Sequence, residues 1–541
     1  MFKVLPHFRI SLWLKCGVPI LCLLLPVLQL FWLKQAIGWV DVLGALGLQL
    51  FVVLMPLVLL GRWRWWMWCL APAVFGLPVY LFVSSLYQSL PGDVLMSAAL
   101  TTHWRNSLQL VAGYGRLWLW VPVAGLAWCL WAVKMPNTAS LSSRHRRALL
   151  AGLLTYAALG MLSRQDFSRW VALPAIFDER VAALVYPVNL VLSARRTLAH
   201  QQSSAQGVSV GAQPRDGSLT PLLLVFVVGE SVRPDHLGPY GYPRDTTPWL
   251  TAHRAEWLAY TDVRSTAQWT AVAVPQLVTR AVPGGGRASL VRAFREAGYQ
   301  TAWISNQEPT SEGRSADVAL FSTEDVEFYY RKDHALLPAF ESFVRQGRQS
   351  QCVVLHMHGS HFPYAARYEP RFRRFTPTLR DTDVEGHPGP AYKQQAINDY
   401  DNTLLALDDF LQRLQRLLAT ESRPALIVFT SDHGENLFDD ERQRFMHAHP
   451  DASRWDLEVP LMFWGNAAFH ALRPAQWQHL TEHRSLRVGH HDLFPTLLDL
   501  ALIRWTGEAM GQSLASPRFL PKPRLTYALG DKLTGDADAV R

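Results

Sequence analysis

The chain has 541 residues, which is more than one ordinary domain, and 49% of them are hydrophobic. Its formal net charge is +8, but the lysines and arginines form no block interleaved with aromatic residues, which argues against nucleic-acid binding. The apolar residues and many of the 21 tryptophans are concentrated in the first third of the chain. This asymmetry predicts two unlike parts, one in a membrane and one soluble.

Five apolar runs occupy the first third of the chain. A membrane-spanning helix needs about 20 largely apolar residues, and each run approaches that length. The runs are 13–33, 41–61, 65–87, 112–133 and 147–163. Together they predict a transmembrane domain with five spans over residues 1–164.

Lysine and arginine residues fall mainly in alternate loops between these runs. They precede the first run, separate the second from the third, and cluster at Arg144, Arg146 and Arg147 before the fifth. Because such residues mark cytoplasmic loops, the N-terminus is predicted to be cytoplasmic and everything after the fifth run to lie across the membrane. In a Gram-negative cell that compartment is the periplasm, so we expect a multi-pass inner-membrane protein.

Residues 165–217 are predicted to connect the membrane part to the soluble part. Between 165 and 196, apolar residues recur at near-helical spacing among charges, which is typical of an amphipathic helix at a membrane surface and equally of a packed core helix. The stretch 201–218 is polar, rich in Gly, Ser and Gln, and is interpreted as a linker. The soluble domain is then predicted over 218–541.

Two short apolar runs in the soluble part end in polar clusters. Leu222–Val228 is followed by Gly-Glu-Ser at 229–231, and Ile427–Thr430 is followed by Ser-Asp-His-Gly-Glu at 431–435. Continuous apolar strands suit a buried parallel sheet, and the helical patterns at 289–297 and 398–417 complete an α/β alternation. Ligands of such sheets bind beyond the carboxyl ends of the strands, where both clusters are expected to lie.

These strand ends present residues that can bind a metal ion. Glu230, Asp432 and His433 form a mixed oxygen and nitrogen set suited to Zn²⁺ or Mn²⁺, although Asp-His-Gly after a strand can also be a turn with an incidental histidine. More histidines follow a third short strand, Cys352–Leu355, or the Asp432 cluster: His356, His358, His361, His447 and His449. Three clusters in equivalent positions strengthen the prediction of a metal centre.

The order of motifs resembles that of the phosphoethanolamine transferases of the alkaline phosphatase/sulfatase superfamily. The motifs are VVGESVRPDHLGPYGYPRDTTPWL (227–250), DVRSTAQWTAVAVPQL (262–277), SNQ (305–307), LHMHGSHFPY (355–364), YDNTLLALDDFL (400–411), TSDHGEN (430–436) and FMHAHP (445–450). The resemblance implies a five-helix transmembrane bundle followed by a C-terminal α/β sulfatase-like (alkaline phosphatase-like) domain. It also implies a zinc-dependent transferase.

The resemblance further implies the identity of the metal ligands and the nucleophile. Glu230, Asp432 and His433 would bind zinc together with Thr270, whose hydroxyl is the nucleophile. Chemistry alone favours Ser231, which adjoins a ligand on a tight turn. The family pattern of a threonine five residues before a proline, here Pro275, favours Thr270 instead.

Other residues match family positions that contact the substrate. His361 and His447 match histidines that hold the phosphoryl group or a second metal, with His449 as a substitute for His447. The remaining matches are Asn306 and Gln307, in a segment that contacts the phosphoethanolamine, and Glu435, an acidic residue near the site. His356 and His358 are interpreted as packing or supporting residues at the end of their strand.

The resemblance implies transfer of phosphoethanolamine from phosphatidylethanolamine to an envelope glycoconjugate through a phosphoethanolamine–threonine intermediate. The acceptor would be lipopolysaccharide core, lipid A or a periplasmic glucan. Thr266 and Gln276 stand where lipid A-directed members have a cysteine pair, which favours core heptose or glucan. The alternatives are a membrane-anchored phosphodiesterase of the same superfamily and a non-catalytic envelope component.

Overall fold

The computed structural model describes residues 6–30, 39–87, 90, 115–162, 182–204, 208–281, 286–307, 309–321, 332–347, 350–384, 388–449, 451–508, 511–528 and 532–540. The chain divides into two compact units, Met1–Thr197 and Leu198–Arg541. Just over half of the predicted amphipathic segment 165–196, residues 165–181, lies outside the described residues. Its last part belongs to a helix that continues to Ser204, into the stretch interpreted as a linker.

Helices of the first unit stand where the five apolar runs were predicted. They are α1 (Pro6–Gln29), α2 (Trp39–Leu60), α3 (Trp63–Tyr87), α4 (Gly115–Lys134) and α5 (Ser143–Leu162), followed by α6 (Val188–Ser204). Among the described residues, two stretches are long and apolar enough to cross a membrane, Asp41–Leu60 and Trp63–Ser85. The other helices are shorter or less apolar where described, so the five-span bundle stays a prediction.

Buried side-chain N–H groups inside this unit donate to its own backbone carbonyl oxygens. The amide nitrogen of Gln49, a buried residue, donates to the carbonyl oxygens of Leu23 at 3.1 Å and Tyr186 at 2.7 Å. The indole nitrogen of Trp128 donates to Met67 at 2.7 Å. A lipid environment requires this, because it offers no water to hydrogen-bond polar groups.

The second unit contains the predicted α/β sheet. Its strands are β1 (Gln213–Pro214), β2 (Leu223–Gly229), β3 (Leu258–Tyr260), β4 (Val263–Arg264), β5 (Thr279–Ala281), β6 (Arg287–Ser289), β7 (Gln300–Ser305), β8 (Val318–Phe321), β9 (Gln351–His356), β10 (Ala425–Ser431), β11 (Asn436–Leu437), β12 (Phe445–Met446), β13 (Leu461–Gly465), β14 (Val488–Gly489), β15 (Ile503–Arg504), β16 (Leu525–Ala528) and β17 (Lys532–Asp536). Seven strands form the main sheet in the order β3-β13-β10-β2-β9-β7-β8. β10, β2, β9, β7 and β8 are parallel, whereas β13 runs antiparallel to β10 and β3.

Helices lie in the connections between these strands. They are α7 (Pro248–Ala252), α8 (Thr270–Val278), α9 (Leu290–Glu296), α10 (Leu336–Arg345), α11 (Lys393–Ala419), α12 (Arg454–Leu457), α13 (Ala467–Leu472), α14 (Pro474–Glu482) and α15 (Leu493–Leu500). Both faces of the sheet are covered: β2 is buried throughout, with Leu224 and Phe226 packed in one hydrophobic cluster and Val225 and Val227 in another. This double coverage explains the continuous apolar run of β2.

The register of the parallel strands places their polar ends together. Gly229 of β2 pairs with Ser431 of β10, and Val228 of β2 pairs with His356 of β9. Glu230 and Asp432, one residue further along, therefore stand side by side at the carboxyl edge of the sheet. The fold thus creates the juxtaposition that the two sequence clusters predicted.

The predicted linker is wrong for residues 208–217, because this segment packs on the second unit. Val210 and Ala212 are buried in the main core, and their backbone N–H groups donate to Glu296 at 3.1 and 3.2 Å. β1 then pairs with β15. Over 208–212 every second residue is a small apolar one. This alternation is typical of a strand with one buried face, and the sequence therefore held a signal against a linker despite its polar composition.

Candidate metal centre and active site

Two carboxylates and an imidazole meet at the carboxyl ends of β2 and β10. Glu230, Asp432 and His433 are fully buried. Nε2 of His433 lies 3.4 Å from Oε1 of Glu230 and 3.4 Å from Oδ2 of Asp432. Oδ2 of Asp432 makes no hydrogen bond to any residue in the described ranges. A buried carboxylate oxygen without a donor is costly unless a cation compensates it, so this set fits a metal ion.

The protonation of these groups reflects the crowding of negative charge. Burial, reinforced by the charge of Glu230, raises the pKa of Asp432 to about 7. Burial alone would lower the pKa of His433, but Asp432 and Glu230 together raise it. A divalent cation placed among the three would remove the same repulsion.

The hydrogen bond of His433 sets its tautomer. Nδ1 lies 2.8 Å from the carbonyl oxygen of Gly434, so we assign the ring hydrogen to Nδ1. The lone pair of Nε2 then faces the two carboxylates. Metal-binding histidines have this arrangement, in which the second nitrogen donates to a carbonyl or carboxylate.

Thr270 brings a hydroxyl to the same point. It is the first residue of α8, and Oγ1 lies 2.8 Å from Oε2 of Glu230 and 3.2 Å from Nε2 of His433. Its neighbour Ser231 donates to Oε1 of Glu230 at 2.6 Å but is 0% exposed, whereas Thr270 is partly exposed. The N-terminus of α8 also favours negative charge at this hydroxyl and at a phosphate beside it.

Two further histidines extend the cluster. The rings of His433 and His447 have centroids 4.2 Å apart, and those of His447 and His361 are 5.6 Å apart. Glu230, His433 and His447 each offer a ligand atom within 4.8 Å of the others. Met446 and Ala448 both have positive φ, 66° and 65°, so the backbone around His447 is strained, as is common at functional sites.

His447, rather than its neighbour His449, belongs to this cluster. Nδ1 of His447 lies 3.2 Å from Oε1 of Glu435, while Nε2 of His449 lies 3.1 Å from the carbonyl oxygen of Phe445. Glu435 is fully buried, and burial, followed by the charges of Asp456 and Glu230, raises its pKa well above the usual range. Glu435 therefore contacts His447 at the edge of the cluster.

Asn306 and Gln307, the predicted substrate-binding pair, contact different residues through their side-chain amides. Nε2 of Gln307 donates to Oε2 of Glu230 at 2.9 Å and to the carbonyl oxygen of Met357 at 2.7 Å. Nδ2 of Asn306 donates to Oδ1 of Asp333 at 2.8 Å. Gln307 thus positions a member of the cluster directly, whereas Asn306 supports the neighbouring loop.

Sequence reasoning missed the residues that hold this loop. Asp333 accepts hydrogen bonds from the backbone N–H groups of His358 and Gly359 at 2.9 and 2.8 Å. Gly359 has φ 38°, and a Cβ there would come within 2.9 Å of the carbonyl oxygen of Glu230. The glycine within the histidine motif was a visible signal, but nothing near Asp333 in the sequence connects it to that motif.

The sheet topology and the cluster at its carboxyl edge define an alkaline phosphatase-like α/β protein with a candidate metal centre. The sulfatase family profile matches residues 223–503, more than half of the chain. The chain therefore belongs to the sulfatase family.

Curated relatives confirm the resemblance to phosphoethanolamine transferases. Phosphoethanolamine transferase EptC of Escherichia coli K12 is 27% identical over 319 residues, covering 55% of this chain and 54% of the relative. Phosphoethanolamine transferase EptA of Salmonella typhimurium is 26% identical over 418 residues, covering 72% of this chain and 73% of the relative. The chain spans about half the length of the first of these relatives.

Solved structures share the fold. The integral membrane protein lipooligosaccharide phosphoethanolamine transferase A from Neisseria meningitidis has a TM-score of 0.70 at 21% identity, covering 94% of this chain and 96% of that chain. The zinc complex of the C-terminal periplasmic domain of EptC from Escherichia coli has a TM-score of 0.54 at 23% identity, covering 61% of this chain and 96% of that chain. At these identities the likeness establishes the fold alone.

Proposed function

We propose that this protein is a zinc-dependent transferase that moves phosphoethanolamine from phosphatidylethanolamine to a cell-envelope glycoconjugate. The observation that carries the proposal is the position of Thr270. Its partly exposed hydroxyl lies within hydrogen-bonding distance of both Glu230 and His433, at the N-terminus of a helix. The likeness to phosphoethanolamine transferases supports the choice of group that is transferred.

Glu230, Asp432 and His433, with the hydroxyl of Thr270, would hold the zinc ion. Three oxygen donors and one imidazole nitrogen are ligands that zinc accepts. When bound, zinc lowers the pKa of a coordinated hydroxyl and neutralises charge on a phosphodiester.

The chain's own residues then account for a two-step transfer. The hydroxyl of Thr270, oriented by its hydrogen bond to Glu230, gives up its proton as Oγ1 attacks phosphorus; the bond from phosphorus to the glycerol oxygen breaks, and diacylglycerol leaves after that oxygen takes up a proton. The positive end of α8 stabilises charge on the phosphoryl oxygens, and His447, with His361 next to it, lines the site beside His433. A hydroxyl or phosphate of the acceptor next attacks the phosphoethanolamine–threonine and releases Thr270.

The proposed location follows from the donor. Phosphatidylethanolamine keeps its acyl chains in the bilayer while its head group must reach Thr270, so we propose five spans in the inner membrane and a periplasmic catalytic unit. The likeness to an integral membrane phosphoethanolamine transferase over nearly the whole chain supports this arrangement.

The acceptor that we propose is lipopolysaccharide core, lipid A or a periplasmic glucan. The soluble part has a single cysteine, Cys352, which is a buried thiol in β9. This departure from the cysteine pairing of lipid A-directed members favours core or glucan.

Labelled phosphatidylethanolamine separates transfer from hydrolysis. We would incubate the full-length protein in detergent with donor labelled in its head group, with and without lipopolysaccharide core oligosaccharide. The proposal predicts label on the oligosaccharide and little free phosphoethanolamine. Release of free phosphoethanolamine at the same rate with and without acceptor would indicate a phosphodiesterase instead.

A further inference from the structure

A row of histidine rings leads away from the candidate metal centre. The centroids of His433 and His447 are 4.2 Å apart, those of His447 and His361 are 5.6 Å apart, and those of His361 and His358 are 5.3 Å apart. His361 and His358 are partly exposed, whereas His433 and His447 are buried. The row therefore connects the buried centre to a more open region of the loop that follows β9.

Arg367 contacts the outer end of this row. Its Nε donates to the carbonyl oxygen of His361 at 3.0 Å, and its Nη1 lies 3.2 Å from Nδ1 of His358. A guanidinium has only donors, so Nδ1 of His358 must accept and Nε2 must carry the ring hydrogen. His361 has the opposite tautomer, because its Nδ1 donates to the carbonyl oxygen of Phe362 at 2.6 Å. The ring hydrogen of His358 is therefore on Nε2, on the side of the ring away from the guanidinium.

Two more cations lie against the same turn. Nζ of Lys332 donates to the carbonyl oxygen of Ala366, and a guanidinium nitrogen of Arg380 donates to that of Ala365. Within the part of the chain that the structure describes, neither Lys332 nor Arg380 forms an ion pair with a carboxylate. The positively charged side chains of Lys332 and Arg380 therefore contact the turn that carries Arg367.

Asp333 and Glu369, the two carboxylates that act on Lys332, are engaged elsewhere. Asp333 accepts from the backbone of His358 and Gly359, and Glu369 pairs with Arg371 at 2.9 Å. Burial, and then the positive charges of Arg367 and Arg380, lower the pKa of Lys332. Lys332 therefore lies close to the like charges of Arg367 and Arg380, and an anion bound among the three would relieve that repulsion.

We propose that Arg367, Lys332 and Arg380 bind a phosphate group carried by the acceptor. Two guanidinium groups and one ammonium group suit a phosphate, because charge-assisted hydrogen bonds to the phosphate oxygens are short and strong. The inference rests on the transferase function proposed above and narrows the acceptor to a phosphorylated glycan.

The position of the cations favours an acceptor over a membrane surface. Arg367 touches the histidine row itself, and both Arg367 and Lys332 are only partly exposed. A contact with anionic lipid needs side chains that reach freely into solvent, which only Arg380 does. A phosphate held at this turn would place a neighbouring sugar along the row that leads to the metal centre.

Matched acceptors test the proposal. We would measure transfer by the full-length protein in detergent to lipopolysaccharide core oligosaccharide, either intact or dephosphorylated with hydrofluoric acid, for Lys332→Gln, Arg380→Gln and the double variant. For each single variant, the KM for the intact oligosaccharide should rise about tenfold, the effect of one lost charge-assisted bond, while the KM for the dephosphorylated one stays at the wild-type value. Arg345→Gln, an exposed arginine paired with Glu341 on α10, is the control and should change neither KM.

The comparison of two acceptors protects the test from misfolding, which would impair both reactions alike. Equal KM values for wild type and double variant on the intact oligosaccharide would overturn the proposal. If the double variant kept the wild-type KM but bound phosphatidylglycerol vesicles more weakly than wild type, the proposal would also be overturned. That result would assign the cations to a contact with the membrane. Failure of the transferase function itself would look different, because wild type would label neither oligosaccharide.

Discussion

At the scale of single residues, Asp432 is the most direct probe of the candidate metal centre. Its Oδ2 has no donor within the described ranges, although the residue is fully buried. Asp432→Asn removes a negative ligand, so we predict that zinc affinity falls at least roughly tenfold to a hundredfold. Zinc per chain, measured by elemental mass spectrometry after desalting, checks this.

Asp456→Asn is the matched control for that measurement. Asp456 is equally buried, but its carboxylate already accepts hydrogen bonds from Ser453 and Asn436. This variant should keep its zinc. Equal zinc contents in both variants and the wild type would show that Asp432 is not a ligand.

Single residues also show how much of the candidate site could be predicted from the sequence. Glu230, Asp432 and His433 were predictable because each follows an apolar strand whose end must lie at one edge of a parallel sheet. Chemistry alone favoured Ser231 as the nucleophile, because it adjoins Glu230 on a tight turn, yet the hydroxyls of both Ser231 and Thr270 donate to Glu230. The difference is exposure, which depends on how α8 packs and is not visible in local sequence.

At the scale of elements, the loop after β9 depends on its close approach to β2. The N–H of Ser360 donates to the carbonyl oxygen of Glu230 at 3.0 Å, and Gly359 lies directly beside that strand end. Gly359→Ala should push the loop away from Glu230 and lower the free energy of unfolding by about 1–3 kcal/mol, with a loss of transfer activity.

Thermal unfolding and transfer assays on Gly359→Ala check that prediction. Gly389→Ala serves as control, because a Cβ at Gly389 would meet no atom within 4 Å. The account of this loop is wrong if the two variants have the same melting temperature and activity.

The elements also show why part of the fold could not be predicted. Strands such as β2 and β10 were recognisable because they are continuous and apolar. The two-residue strand β1 is too short for a periodic signal, and its partner β15 lies almost 300 residues away. The order of strands in the sheet likewise depends on contacts between distant segments.

At the scale of the whole molecule, topology is the main prediction. With five spans, residues 135–142 should be cytoplasmic and residues after 218 periplasmic. Alkaline phosphatase fused after Asn137 should be inactive and after Ser218 active, and green fluorescent protein at the same positions should give the reverse. Active alkaline phosphatase at Asn137 would contradict the five-span arrangement.

The covalent state of Thr270 tests the central claim most directly. We would incubate the full-length wild type, Thr270→Ala and Ser231→Ala with phosphatidylethanolamine, without acceptor, and analyse the peptides by mass spectrometry. The account predicts that the peptide containing residue 270 gains the mass of a phosphoethanolamine group in wild type and in Ser231→Ala, and that Thr270→Ala gains none. An adduct on Ser231, or one that persists in Thr270→Ala, would contradict it.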